Sequence, residues 1–191
     1  MILLEDYLKE KNMTVYECSK RAGIPYSTLS DLAKGKKQIE KCSAEMVYKL
    51  AKVLDTSVEI LLDELHIPKR PDFELFKSNV CHDIKRKGDL NFIVETIQSQ
   101  IIRKFWSIKW YLEAMYLIGI LDYLCRINNI PKCSEYDYYR SYKMENLIYP
   151  RSVKYEELLS KSSNIKHYCY QNAIPELLIF NIVEGEIRDV I

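Results

Sequence analysis

The sequence has 191 residues and a formal net charge of +1; 48% of its residues are hydrophobic and 12% aromatic. Such a chain buries a real core, which excludes a disordered protein, and its near-neutral balance excludes one that coats nucleic acid along its whole surface. Five glycines and six prolines provide few turns, whereas runs of Leu, Ile, Lys and Glu favour helices, so the expected class is mainly α.

The opening residues, MILLEDYLKEKN, carry acids at positions 5 and 6 and no basic run, which argues against a secretory signal. Thr14-Val15-Tyr16-Glu17 follows as a capping box: the threonine hydroxyl accepts from the Glu17 amide while the glutamate side chain reaches back. The helix it starts ends by Gly23, a residue that takes a left-handed C-terminal conformation cheaply. Ile24 and Pro25 cross a turn, and the fixed φ of proline suits the start of the next helix. That helix, 26–34, carries Leu29 and Leu32 inward and turns Tyr26, Ser27, Ser30, Asp31 and Lys34 toward solvent. Gly35 ends it, and Lys36 and Lys37 follow. Ser19 is small where the two helices should cross closely. Ile39 anchors a loop, and SAEMVYKLAKVLDTS then places Val47, Leu50, Ala51 and Leu54 at helical spacing. A second capping box, Thr56 to Glu59, opens TSVEILLDE, with Val58, Leu61 and Leu62 facing inward.

Taken in this order, residues 1–63 resemble the phage-repressor-like (Xre/Cro) helix-turn-helix domain, a five-helix lambda-repressor-like module. The resemblance is carried by TVYECSKRAGIPYSTLSDLAKGKKQI followed by VYKLAKVLDTSVEILL, and covers roughly one third of the chain. Two departures stand out. Cys18-Ser19 replaces the usual Leu-Ala, and Pro25 stands where a Ser or Thr usually caps the second helix. The resemblance implies that helix 26–34 enters the major groove of double-stranded DNA. Tyr26, Ser27, Thr28 and Asp31 then fall at base edges, with Ser30 beside them, and Lys34, Lys36 and Lys37 follow where phosphates pass. Serine hydroxyls serve several bases, and an aspartate accepts from cytosine N4. Asp31 is alternatively a partner of Lys34 at i+3.

Residues 64–72, ELHIPKRPD, read as a linker, because each proline biases its predecessor away from the helix. Residues 73–191 are expected to form a mostly helical second domain. FELFKSNVCHDIKRKGD predicts an amphipathic helix stopping at Gly88; DLNFIVETIQSQIIRKF predicts another, with Asp89 as N-cap; an apolar helix spans roughly 106–128. The stretch FWSIKWYLEAMYLIGIL is interrupted by Lys109 and Glu113, so it reads as buried helix and not as a membrane span. In the overlapping IIRKFWSIKWYLEAMYL, Arg103, Lys104 and Lys109 interleaved with Phe105, Trp106, Trp110 and Tyr111 would also suit stacking on single-stranded nucleic acid; Trp106, Trp110, Met115 and Leu117 on one core face is the favoured reading. Residues 131–154 read as a long tyrosine-rich loop with one helical turn. Its YDYYRSY (136–142) is either a partner surface or a cover for its own core. A segment restarting at Pro175 is a short helix or a strand.

Six cysteines show no CxxC pair, so they read as reduced, buried thiols with no metal. The alternative is convergence of Cys81, Cys125, Cys133, His167 and Cys169, with His82, on one ion. No GxGxxG, GxxxxGK(S/T), HExxH or GxSxG occurs, so neither an enzyme nor a cofactor is expected. The expected protein is a cytoplasmic, sequence-specific transcriptional regulator, a repressor, bound to DNA as a homodimer through residues 73–191. The alternative is an antitoxin-type regulator whose second domain binds and neutralises a co-encoded toxin.

Overall fold

The computed structural model describes residues 2–160 and 164–187. The chain divides into two compact units, Met1–Arg70 with Trp106–Lys109, and Pro71–Phe105 with Trp110–Ile191. Among the described residues every regular element is helical; the one isolated bridge joins Ile148 and Ile182 in parallel. No helix among them is long and apolar enough to cross a membrane.

The first unit contains α1 (Leu4–Glu10), α2 (Val15–Ala22), α3 (Tyr26–Ala33), α4 (Ala44–Val53) and α5 (Val58–Leu65), with a 3-10 turn at Ile39–Lys41. Each helix is short and presents one apolar stripe, and the stripes meet in a core that includes Leu8, Leu29, Ile39, Leu50 and Leu61. Each such side chain contributes about 1.5–3 kcal/mol when fully buried. The cap of α5 differs from expectation. Ser57, not Thr56, accepts from the Ile60 amide at 3.2 Å, because Asp55 takes a left-handed φ of 50° and carries the chain one residue further before α5 begins. α5 then runs to Leu65, two residues into the segment read as linker.

The second unit holds α6 (Phe73–Lys87), α7 (Asp89–Gln98), α8 (Ile101–Ser107), α9 (Tyr111–Ile127), α10 (Asp137–Arg140), α11 (Arg151–Ser160), α12 (Asn164–Gln171) and α13 (Pro175–Leu178); α8 runs on past Phe105. Four expectations are corrected here. Asp89 is the first residue of α7 and Gly88 the N-cap. The helix expected over 89–105 breaks at Gln100 (φ 54°), and the one expected over 106–128 breaks at Lys109 (φ 64°). The long loop contains a 3-10 turn, Ser134–Tyr136, and α10, and it ends where α11 begins at residue 151.

α9 is the centre of this unit: every residue from Glu113 to Cys125 is buried. Gly119 allows α13 to lie directly on it. A Cβ at 119 would stand 2.4 Å from Leu177 Cδ2 and 3.2 Å from the Glu176 carbonyl oxygen. The charged residues of α9 are met by partners from the returning chain. Asp122 receives Arg140 through Nε at 2.8 Å and Nη2 at 2.6 Å. Arg126 donates to Glu176 at 2.6 and 3.2 Å, and the Tyr123 hydroxyl donates to Glu186. On α6 the buried Lys77 pairs with Glu184 and, at 3.0 Å, with Glu74.

Two outcomes are expected. Gly119→Ala should lower stability by about 1–3 kcal/mol, and Gly119→Val by more, because neither buried Leu177 nor the α13 backbone has room to yield; the urea midpoint measures it. Glu176 supplies a pH dependence. Burial pushes its carboxyl up, but hydrogen bonds from Arg126 and from its own amide outweigh this and hold it below the usual 4.5. The resulting stabilisation is present above the unfolded value and is lost as pH falls through the folded one. Glu176→Gln should therefore flatten the decline in stability below about pH 4.5 in urea unfolding series.

Candidate nucleic-acid interface

The candidate interface is built on the corner between α2 and α3 and on the loop that follows. Thr14 caps α2, its hydroxyl accepting from the Glu17 amide at 3.1 Å. The Glu17 carboxylate turns instead to Arg21, at 2.5 Å, so only half of the reciprocal capping box forms. Gly23 closes α2 at φ 62°, and the Ile24 amide donates to the Ser19 carbonyl at 3.0 Å. Ser19 is buried, its hydroxyl donating to the Tyr16 carbonyl at 2.7 Å, which satisfies the polar atom where α2 packs against α3.

α3 starts without a side-chain cap, since Pro25 occupies that position. Leu29, Leu32 and Ala33 are buried. Tyr26, Ser27 and Asp31 are exposed, and Thr28 and Ser30 are half-buried beside them. The loop then folds back: the Asp31 carbonyl accepts the amides of Lys36 at 2.9 Å and Lys37 at 3.2 Å. Gly35 makes this possible at φ 70°, and a Cβ there would stand 2.9 Å from Leu3 Cδ2. Lys34 and Lys36 are exposed and Lys37 is half-buried.

Among the described residues none of these three lysines forms an ion pair. Elsewhere in the unit Lys9, Arg21 and Lys49 are matched by Asp6, Glu17 and Glu45. Three unpaired lysines thus lie within four residues on one backbone-tethered stretch at the end of α3, where they remain open to an external anion. Asp31 is also unpaired among the described residues, so the i+3 pair with Lys34 does not form.

The sequence reading missed two neighbours. Tyr16 projects from α2 and lies 6.3 Å from Tyr26, centroid to centroid, with the rings tilted by 58°. The Lys20 ammonium sits 5.6 Å from the Tyr16 ring. The available signal was their i, i+4 spacing on the outer face of α2.

The alternative metal reading finds no support in geometry. Among the described residues no three His, Cys, Asp or Glu side chains gather as an ion would require. The six cysteines are free thiols; burial pushes Cys18 up to about 11 and also raises Cys81 and Cys125.

Residues 4–63 match the Cro/C1-type HTH DNA-binding domain. The first part of this chain is therefore a helix-turn-helix domain of that type, followed by a helical region, and the protein is a DNA-binding regulator. No curated protein and no solved structure matches the chain.

Gly35→Ala should cost about 1–2 kcal/mol through the left-handed φ alone, with the contact to Leu3 adding to it. Chemical denaturation of the full chain measures this, and an unchanged midpoint would show that the loop reorganises freely.

Proposed function

We propose that the protein is a sequence-specific transcriptional repressor that lays α3 in the major groove of duplex DNA. Tyr26, Ser27, Thr28, Ser30 and Asp31 face base edges, and Lys34, Lys36 and Lys37 meet the phosphates alongside. The reading is carried by one observation: in a domain of the Cro/C1 type, an exposed hydroxyl-rich helix leads into three lysines held in place and without acidic partners. Tyr26 and the serines offer sequence-dependent contacts, whereas the lysines supply affinity that depends on salt and not on sequence. Asp31, unpaired and facing outward, suits a cytosine amine and is repelled by other edges, so it narrows the choice of site.

One module of this size covers too little DNA to select a site at physiological salt, so the repressor acts as a two-fold dimer. Its two copies of α3 read half-sites about 34 Å apart, one helical turn. Residues 73–191 supply the contact between copies and 64–72 the hinge. Occupying an operator in this way in the cytoplasm blocks transcription without any catalytic step.

Replacing Lys36 and Lys37 together by Ala should weaken binding to all duplexes and reduce the salt slope by roughly two, one per lost phosphate contact. Ser27→Ala or Tyr26→Ala should instead change which sequences are recovered from a random pool, with the salt slope little altered. Fluorescence anisotropy across a salt series reads the first effect and selection with sequencing the second. A double variant with wild-type salt dependence would remove the lysine loop from the interface.

A further inference from the structure

A row of three exposed side chains runs from the outer face of α2 to the first residue of α3. Tyr16 and Tyr26 are 60% and 53% exposed, yet their rings lie 6.3 Å apart, centroid to centroid, within the range of an attractive aromatic pair. On α2 the Lys20 ammonium stands 5.6 Å from the centroid of the Tyr16 ring. The tyrosine–lysine pair alone is not distinctive, because Tyr48 and Lys52 repeat it on α4 at 5.5 Å. What sets Tyr16 apart is the second ring, which it meets where α3 is least supported: Pro25 leaves that helix without a side-chain cap.

An exposed tyrosine at an uncapped helix start turns among rotamers, and fixing it on binding costs affinity. Contact with Tyr16 fixes the Tyr26 ring beforehand. Lys20 forms no ion pair among the described residues, whereas its neighbour Arg21 is matched by Glu17. It also precedes α3, while Lys34, Lys36 and Lys37 follow the last turn. The 8 residues of α3 make it about 12 Å long, close to the width of the major groove, so cations before and after it reach separate stretches of backbone. We propose that the DNA interface extends onto α2: Tyr16 is the positioning residue that holds Tyr26 for base readout, and Lys20 is a further phosphate contact. This rests on the reading of α3 above. Tyr16 acts through Tyr26, and Lys20 adds affinity without choosing sequence.

Fluorescence anisotropy of the full chain tests both roles. The probes are the duplex that the wild-type protein enriches from a random pool and a scrambled duplex of the same composition. Tyr16→Ala should lower the ratio of the two affinities by roughly threefold to tenfold, with little change in the salt slope. Tyr16→Phe keeps the ring and should restore the ratio. In a Tyr26→Ala background Tyr16→Ala should cost nothing further, and Tyr48→Ala should leave the ratio unchanged. Lys20→Gln should reduce the salt slope by roughly one on both duplexes with the ratio intact. An unchanged ratio in Tyr16→Ala, an equal loss on both duplexes, or the same loss without Tyr26 would overturn the positioning role. So would a loss in Tyr16→Phe as large as in Tyr16→Ala, since the hydroxyl would then meet DNA directly, or an equal loss in Tyr48→Ala. A wild-type salt slope in Lys20→Gln would remove Lys20 from the interface. In each of these cases a lowered slope in the Lys36 and Lys37 double variant leaves the reading of α3 standing. A wild-type chain that enriches no sequence would overturn that reading together with this one.

Discussion

The second unit is organised by the requirement that ionised groups on a fully enclosed helix be paired. α9 has no solvent side from Glu113 to Cys125, yet it carries Asp122 near its middle. A carboxylate left alone in such surroundings would cost several kcal/mol, more than most single contacts return. Arg140 removes the cost through two hydrogen bonds and uses Nη1 to reach the Cys133 carbonyl at 2.9 Å. The segment from Cys133 to Arg140 is thereby fixed over α9, with Tyr136 sealed beneath it. Among the described residues the Tyr136 hydroxyl is the one buried side-chain polar atom without a partner, and burial pushes it up to about 12. Arg126 with Glu176, and Tyr123 with Glu186, fix the later passes in the same way. Gly119 then lets α13 come close enough to complete the layer.

The first unit has no such central helix and depends on local devices. Its five short helices would be marginal alone, since most helical stability comes from packing an apolar face. Caps at Thr14, Ser43 and Ser57 and left-handed exits at Asn12, Gly23 and Asp55 set the angles at which those faces meet. The same logic continues into function. The loop after α3 is short, bonded to the Asp31 carbonyl and closed on Leu3, so its lysines are presented in a fixed order and not on a mobile tail.

What the sequence disclosed follows from the range of the interactions involved. Thr14, Gly23 and Gly35 act on neighbours within a few residues, so the helix-turn-helix pattern and the outward residues of α3 were legible. Tyr16 was not, because its position beside Tyr26 depends on the angle between two helices. In the second unit, Asp122 and Arg140 are 18 residues apart and Lys77 and Glu184 are 107 apart. No local pattern signals such pairings. The helix breaks at Gln100 and Lys109 escaped for a different reason: the expected punctuation is Gly or Asn, and these residues carry no such preference.

Those breaks have a bearing on how the protein would tolerate change. At Lys109 the amide of Trp110 reaches back to the Phe105 carbonyl at 2.8 Å, and at Asn129 the amide of Ile130 reaches the Cys125 carbonyl at 2.8 Å. The same corner recurs at Asn12, where Met13 bonds Leu8 at 2.9 Å. The hydrogen bonding thus supports a backbone shape that the side chain at each corner disfavours, most of all at the non-Asx positions Gln100 and Lys109. The fold carries strain that is distributed over its surface corners and kept away from its cores. In a directed-evolution experiment the exposed corner at Lys109 forms a latent margin, where glycine relaxes the backbone without opening a core.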